Sequence, residues 1–267
     1  GGKGSRWWAA AWPVCRPPWR RRSGATTACC TSGADGLGGQ LFYTDYVWFK
    51  REMREYRDYL IRQVAKSPVQ VRLNTEASPG AAGGGAAGRG DRGGGGGALH
   101  TPPFPAWTAP RWSLPWTYSG MRMTCPGEVV IIGGGLVGCE AGLFLQKTGH
   151  EVTVVELLGR LANESFGMYR EALIWEMEKC GMAMLPKTRC LEITPTGVKV
   201  ENAGGVQTLE ADTVLFALGM KSVDIAPLKA AAEAAGLKTW VIGDAIQPGK
   251  VDQATRSAYL AGIEVGR

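Results

Sequence analysis

The sequence predicts an α/β fold for residues 126–267, and three observations carry that prediction. An apolar run, EVVII at 128–132, leads directly into GGGLVG and then a helix-length stretch. A second apolar run, EVTVV at 151–155, follows a glycine turn and ends on the acid Glu156. Farther on, TVLFALG at 213–219 is another buried-strand run closed by glycine. Strand, glycine turn, helix, turn and strand in that order make a βαβ unit.

The remaining elements follow in chain order. Residues 1–34 show no helical or strand periodicity. A glycine turn from Gly36 precedes a helix over 46–65, with Val47, Met53, Tyr56, Leu60, Ile61 and Val64 near one stripe. VQVRLNTEA at 69–77 alternates as a strand. The segment 78–98 carries eleven glycines between 80 and 97, too few side chains to offset the entropy of ordering its backbone. The proline-punctuated stretch that follows, to residue 120, is equally hard to fold.

Beyond the βαβ unit, Asn163 is placed to cap a helix over 164–180 that ends at Gly181, with Pro186 beyond it. Short strands are expected near 190–193, 197–201 and 206–210. Residues 224–236 suit an alanine-rich helix, TWVIGDA at 239–245 a strand ending in a turn, and 252–265 a last helix.

Composition separates the two halves. Residues 1–125 hold 17 Lys and Arg against 7 Asp and Glu, together with eight of the ten tryptophans; residues 126–267 hold 13 against 17. Seven cysteines, an odd number without C-x-x-C or metal-ligand spacing, point to a reducing compartment, and the expected location is cytoplasmic. The longest apolar run, 129–146, is glycine-rich and broken by Glu140, so no membrane span is expected. With no initiator Met at its start, the chain is expected to be a piece of a longer protein.

One motif has a mechanism. Gly133, Gly135 and Gly138 form G-x-G-x-x-G directly after a predicted strand and at the start of a predicted helix. Gly133 permits the tight turn, Gly135 lets a pyrophosphate approach the backbone, and Gly138 lets helix and strand pack closely, with the helix amides facing the anion. Glu156, eighteen residues past Gly138, stands where a carboxylate accepts hydrogen bonds from the adenosine ribose. It would repel a 2′-phosphate, which favours NAD; Arg160 nearby softens that preference and leaves NADP admissible. The pattern is that of a Rossmann-like dinucleotide-binding domain.

The stretches EVVIIGGGLVGCE, GHEVTVVE, TVLFALGMKS and WVIGDAIQPGKVDQA together resemble the C-terminal FAD/NAD(P)-binding half of the NADH:flavin oxidoreductase family, which includes 2,4-dienoyl-CoA reductase, trimethylamine dehydrogenase and enoate reductase-like enzymes. ADGLGGQL and VQVRLNTEA extend the resemblance into 35–77. It implies an NAD(P)-binding domain at 126–223 inserted into an FAD-binding domain, whose damaged remnant is 1–125 and whose return segment is 224–267. Gly219 would lie near the crossover, Gly38, Gly39 and Gln40 would contact FAD, and Asp244 would contact the flavin ribityl chain; a plain turn aspartate is the other reading of Asp244. The resemblance also implies FMN and a 4Fe-4S cluster in a separate N-terminal barrel that this chain lacks. The seven cysteines here do not supply the cluster's ligands.

The departure from that pattern is at the front. Where the family has a first glycine fingerprint for FAD, this chain reads WWAAAWPVC at 7–15, and no acid stands near 31–32. Codons exist for residues 4–15 that, moved by two bases, read VAVVGGGLAGM. SGATTACC re-reads likewise as RGHDSVLY, and AWTAP as GLDGP. The expectation is a translation carrying compensating frameshifts within residues 1–125.

Two functional expectations follow. One is the NAD(P)H-to-FAD portion of a larger reductase of activated C=C bonds; the other is a non-catalytic NAD(H)-binding module that has lost FAD. No acid–base pair is required, because the chemistry belongs to the cofactors; His100 and His150 are read as structural or solvated. A dithiol reductase would need a redox cysteine pair, and only the adjacent Cys29 and Cys30 offer one. WRRR and its neighbouring tryptophans lack amphipathic spacing, so neither a nucleic acid nor a membrane is an expected partner.

Overall fold

Four consecutive apolar side chains, Val129 to Ile132, are all buried. Val129 and Ile131 face one core, Val130 and Ile132 another. Successive strand residues point to opposite faces, so such a run requires a sheet covered on both sides. This computed structural model describes residues 29–43, 47–75, 77–78, 98–99, 112–113 and 127–265.

In chain order, β1 (Cys29–Thr31) precedes α1 (Arg51–Ala65) and β2 (Gln70–Arg72). The short strands β3 (Ala98–Leu99) and β4 (Trp112–Ser113) come next. Then β5 (Glu128–Ile132), α2 (Leu136–Lys147), β6 (Glu151–Val155), α3 (Gly167–Lys179) and β7 (Ala183–Leu185) alternate. Three hairpin-linked strands follow, β8 (Arg189–Thr194), β9 (Gly197–Asn202) and β10 (Gly205–Glu210). The described elements finish with β11 (Thr213–Phe216), β12 (Met220–Lys221), α4 (Ala226–Ala234) and α5 (Val251–Val265).

The chain divides into two compact units, one of Gly1–Phe42, Arg51–Ala98 and Met220–Arg267, the other of Tyr43–Lys50 and Leu99–Gly219. The second is built on a five-stranded sheet in the order β4-β11-β5-β6-β7, parallel throughout. On one face α2 and α3 bring Leu145 and Met177 against Ile131, Val154 and Leu215. On the other, Val198 and Val200 of the antiparallel meander β10-β9-β8 pack against Val130, Ile132 and Phe216. Burying each such side chain contributes about 1.5–3 kcal/mol. The α/β, Rossmann-like fold expected for this region is the fold observed.

In the first unit β1 and β2 pair in parallel, and α1 buries Arg57, Leu60 and Val64. Three sequence expectations are corrected there. The helix begins at Arg51 rather than 46: residues 48–50 form a 3₁₀ turn, and Val47, though buried, belongs to the other unit. The strand expected over 69–77 shortens to Gln70–Arg72, because Asn74 takes a φ of 51° and turns the chain out of extension. TWVIGDA forms no strand; Ile242 is extended (φ −140°, ψ 160°), but no ladder pairs this stretch among the described residues.

In the second unit the expected helix 164–180 starts instead at Gly167, with Phe166 at its N-cap and no side-chain cap. Asn163 does not cap it because residues 161–165 turn toward the glycine loop. The Ala162 amide donates to the Gly134 carbonyl at 2.7 Å. WWAAAWPVC, the glycine run 80–97, His100 and most of the stretches 1–34 and 78–120 lie outside the described residues.

Candidate functional site

The loop between β5 and α2 is tight at both ends. Gly133 has a φ of 107°, a left-handed conformation that favours glycine. A Cβ there would lie 2.4 Å from the Ala217 carbonyl oxygen, and one on residue 138 would lie 1.9 Å from the Gly133 carbonyl oxygen. Neither position admits a side chain, so α2 approaches the carboxyl edge of the sheet as closely as backbone permits. Gly135 is the N-cap of α2 (φ −66°, ψ −179°) and makes no side-chain cap bond. A Cβ on Gly135 would fill the space in front of the helix, 2.9 Å from a carboxylate oxygen of Glu164.

Glu156, immediately after β6, reaches this loop. Its Oε2 accepts the Gly134 amide at 2.7 Å and its Oε1 the Leu158 amide at 2.6 Å. Its backbone is held from both directions, the amide donating to the Leu185 carbonyl and the carbonyl accepting from Thr188. The structure therefore brings Gly133, Gly135, Gly138 and Glu156 together in one cradle. The Leu136 amide, in the first turn of α2, donates to Glu164 Oε1. Helix N-terminal amides and the helix dipole favour an anion there. Arg160 is exposed on the loop after Glu156, and Lys187 lies beside Gly159. Bare backbone, forward-facing amides and a terminal carboxylate fit the pyrophosphate and ribose of an adenine dinucleotide.

Glu140, which in the sequence only interrupts an apolar run, is a further residue of this region. Two positions past Gly138 on α2, it is buried to 4% exposure. Its carboxylate is paired with the Lys50 ammonium and accepts the Tyr169 hydroxyl at 2.7 Å. Burial, reinforced by that carboxylate, pushes the Tyr169 phenol well above its ordinary range. The available signal was a lone acid inside a helix flanked by apolar residues on every side, which requires partners to be buried.

The other expected site residues belong to other parts of the chain. Gly219 (φ 90°) is the last residue of the second unit. Gly38 (φ 129°) and Gly39 (φ 49°) form a left-handed turn in the first unit, with Gln40 in the 3₁₀ turn Gly39–Tyr43. Asp244 sits in the 3₁₀ turn Gly243–Ala245 of that unit. Its carboxylate accepts the Gly249 amide at 3.3 Å and its carbonyl the Ser222 hydroxyl at 2.8 Å. Burial raises the Asp244 carboxyl, and the Gly249 amide opposes that rise.

His150 packs its ring against the turn after α2, with Nδ1 3.1 Å from the Leu145 carbonyl oxygen. Cys139 and Cys190 are buried, and burial pushes their thiols up to about 12 and about 11, far from the thiolate a redox cysteine needs. Among the described residues no group of His, Cys, Asp and Glu is arranged to hold a metal ion. No helix among them is long and apolar enough to cross a membrane.

Comparison with known proteins bears on this arrangement. The chain is 30% identical to bilirubin reductase of Mediterraneibacter gnavus over 84% of its own length and 35% of that protein's. It is 26% identical to a metal reductase of Desulforamulus reducens over 86% of its length and 39% of the relative's. The chain thus spans little more than a third of these curated relatives. Among solved structures, 2-naphthoyl-CoA reductase superposes with a TM-score of 0.77 at 22% identity, covering 88% of this chain and 36% of that one. Histamine dehydrogenase from a Rhizobium species superposes at 0.75 and 16%, covering 100% and 44%; at these identities the likeness is one of fold. Residues 112–258 match the model of a family described as pyridine nucleotide-disulphide oxidoreductase. With its glycine cradle and terminal acid, the chain belongs to the pyridine nucleotide-disulphide oxidoreductase family, as an FAD/NAD(P)-binding oxidoreductase domain.

Proposed function

We propose that this chain is the NAD(P)H-to-FAD electron-transfer portion of a larger reductase of activated C=C bonds. The observation that carries the reading is the cradle of Gly133, Gly135 and Gly138, with the Glu156 carboxylate 2.7 Å from the Gly134 amide. In this reading the amides at the start of α2 hold the dinucleotide pyrophosphate and Glu156 takes the adenosine ribose hydroxyls, which sets NAD above NADP. Gly38, Gly39, Gln40 and Asp244 hold FAD, and Gly219 lies where residues 126–223 hand back to 224–267. Reduced nicotinamide and flavin would supply a hydride transfer when bound; the protein would supply their binding and alignment.

The span of little more than a third of the curated relatives supports a further region in the same parent protein; the family resemblance implies that it is an N-terminal barrel with FMN and a 4Fe-4S cluster. A cytoplasmic, reducing setting goes with the free cysteines.

A second reading has its own observation. Residues 7–15 read WWAAAWPVC where a first fingerprint would stand, and Thr31 and Ser32 occupy the place of the FAD ribose acid. A chain with these residues holds NAD(H) without flavin. Purified protein separates the two. Yellow protein whose flavin absorbance bleaches anaerobically on adding NADH supports electron transfer, and colourless protein that still binds NADH supports the module.

A further inference from the structure

Glu164 holds the place of a ligand atom. Its Oε1 accepts the Leu136 amide, the first of α2, and a Cβ on Gly135 would meet that same oxygen at 2.9 Å. The carboxylate therefore sits in front of the helix N-terminus, over bare backbone, where an anion is most favoured.

The segment carrying it is anchored at Leu161 and Ala162. Leu161 and Ala162 are buried, at 6% and 0% exposure. Ala162, with a φ of 47°, donates its amide to the Gly134 carbonyl, and the Arg170 Nε holds the Leu161 carbonyl at 2.8 Å. Two residues farther along, Glu164 is exposed. Its carboxylate borders solvent, so it has room to leave the seat with the anchor at Ala162 left in place.

We propose that Glu164 is a resident stand-in for the dinucleotide pyrophosphate, seated on the α2 N-terminus in the free protein and displaced when NAD(H) binds. A carboxylate and a phosphate oxygen cannot accept the same Leu136 N–H in the same space. The apparent affinity for the dinucleotide is then reduced by the fraction of molecules whose seat is open. Glu164 thereby satisfies an otherwise open amide in the free state and sets the affinity for NAD(H). The inference rests on the reading above that this cradle holds the dinucleotide.

The test is equilibrium titration of the full chain with NADH, followed by nicotinamide fluorescence, for wild type, Glu164→Gln and Glu164→Ala. The alanine variant should bind about five- to tenfold more tightly, the glutamine variant less so, and ADP-ribose, which carries the pyrophosphate without nicotinamide, should show the same order. Equal or weaker binding by the variants overturns the displacement and leaves the dinucleotide site standing. No saturable binding by any of the three proteins overturns both. In wild type alone, saturating NADH should shift the backbone amide resonances of Glu164 and Ser165, and unchanged resonances overturn the proposal even where a variant fails to fold.

Discussion

Residue 138 lies against residue 133 so closely that a Cβ on the first would stand 1.9 Å from the carbonyl oxygen of the second. The same Cβ would come within 3.1 Å of the Ala217 Cβ, so three chain segments meet at one bare position. Gly138→Ala is expected to destabilise the second unit by about 2–3 kcal/mol. Hydrogen exchange of the β5 and α2 backbone amides across a urea series measures it; unchanged protection would show that α2 is free to shift.

The Glu156 carboxylate is fixed by two backbone amides, those of Gly134 and Leu158. Glu156→Gln keeps the shape, removes the charge and substitutes a group that must turn one N–H toward these donors. Affinity for NADH should fall about tenfold, the loss of one charge-assisted contact. Repulsion of a 2′-phosphate falls with it, so the ratio of NADPH to NADH affinity should rise. Parallel titrations of both cofactors check this, and an unaltered ratio would remove Glu156 from cofactor choice.

Tyr169 makes a pH-dependent contribution of known sign. Its phenol is raised above the ordinary value by burial first and by Glu140 second, so the unfolded chain loses that proton before the folded one. The stability it contributes is fully present below about pH 10 and declines as pH rises above that value. Between about pH 9 and about pH 11 wild type should therefore lose more stability than Tyr169→Phe. Equal losses would show that the Glu140 contact does not hold the proton.

The parts of this site that were legible in the sequence are local ones. EVVII, GGGLVG and EVTVV lie within one 28-residue stretch and end on Glu156, so periodicity, turn chemistry and the terminal acid all speak within one βαβ unit. What escaped depends on distant partners. Glu140 finds Lys50 at a separation of 90 residues, and nothing near either residue announces the pair. The start of α3 moved because Ala162 and Glu164 bond to Gly134 and Leu136, residues 28 positions earlier, which outweighs the capping preference of Asn163. TWVIGDA has the composition of a strand, but a strand also needs a ladder, and extension at Ile242 is all that local sequence secures.

For residues 1–125 a particular DNA is expected. Resequencing the coding region should reveal insertions or deletions that restore VAVVGGGLAGM in place of the WWAAAWPVC segment. The restored protein should then bind FAD more tightly than the chain as it stands. A clean open reading frame with the present residues would end this explanation and favour the flavin-free module.

The central claim is that the amides between Gly133 and Gly138 grip an adenine dinucleotide. Titrating isotope-labelled full chain with NADH and following its backbone amide resonances tests this most directly. Saturable shifts centred on Gly134, Gly135 and Leu136, at the seat now shared by Glu156 and Glu164, are the predicted result. Resonances in that loop that stay fixed through the titration would contradict it.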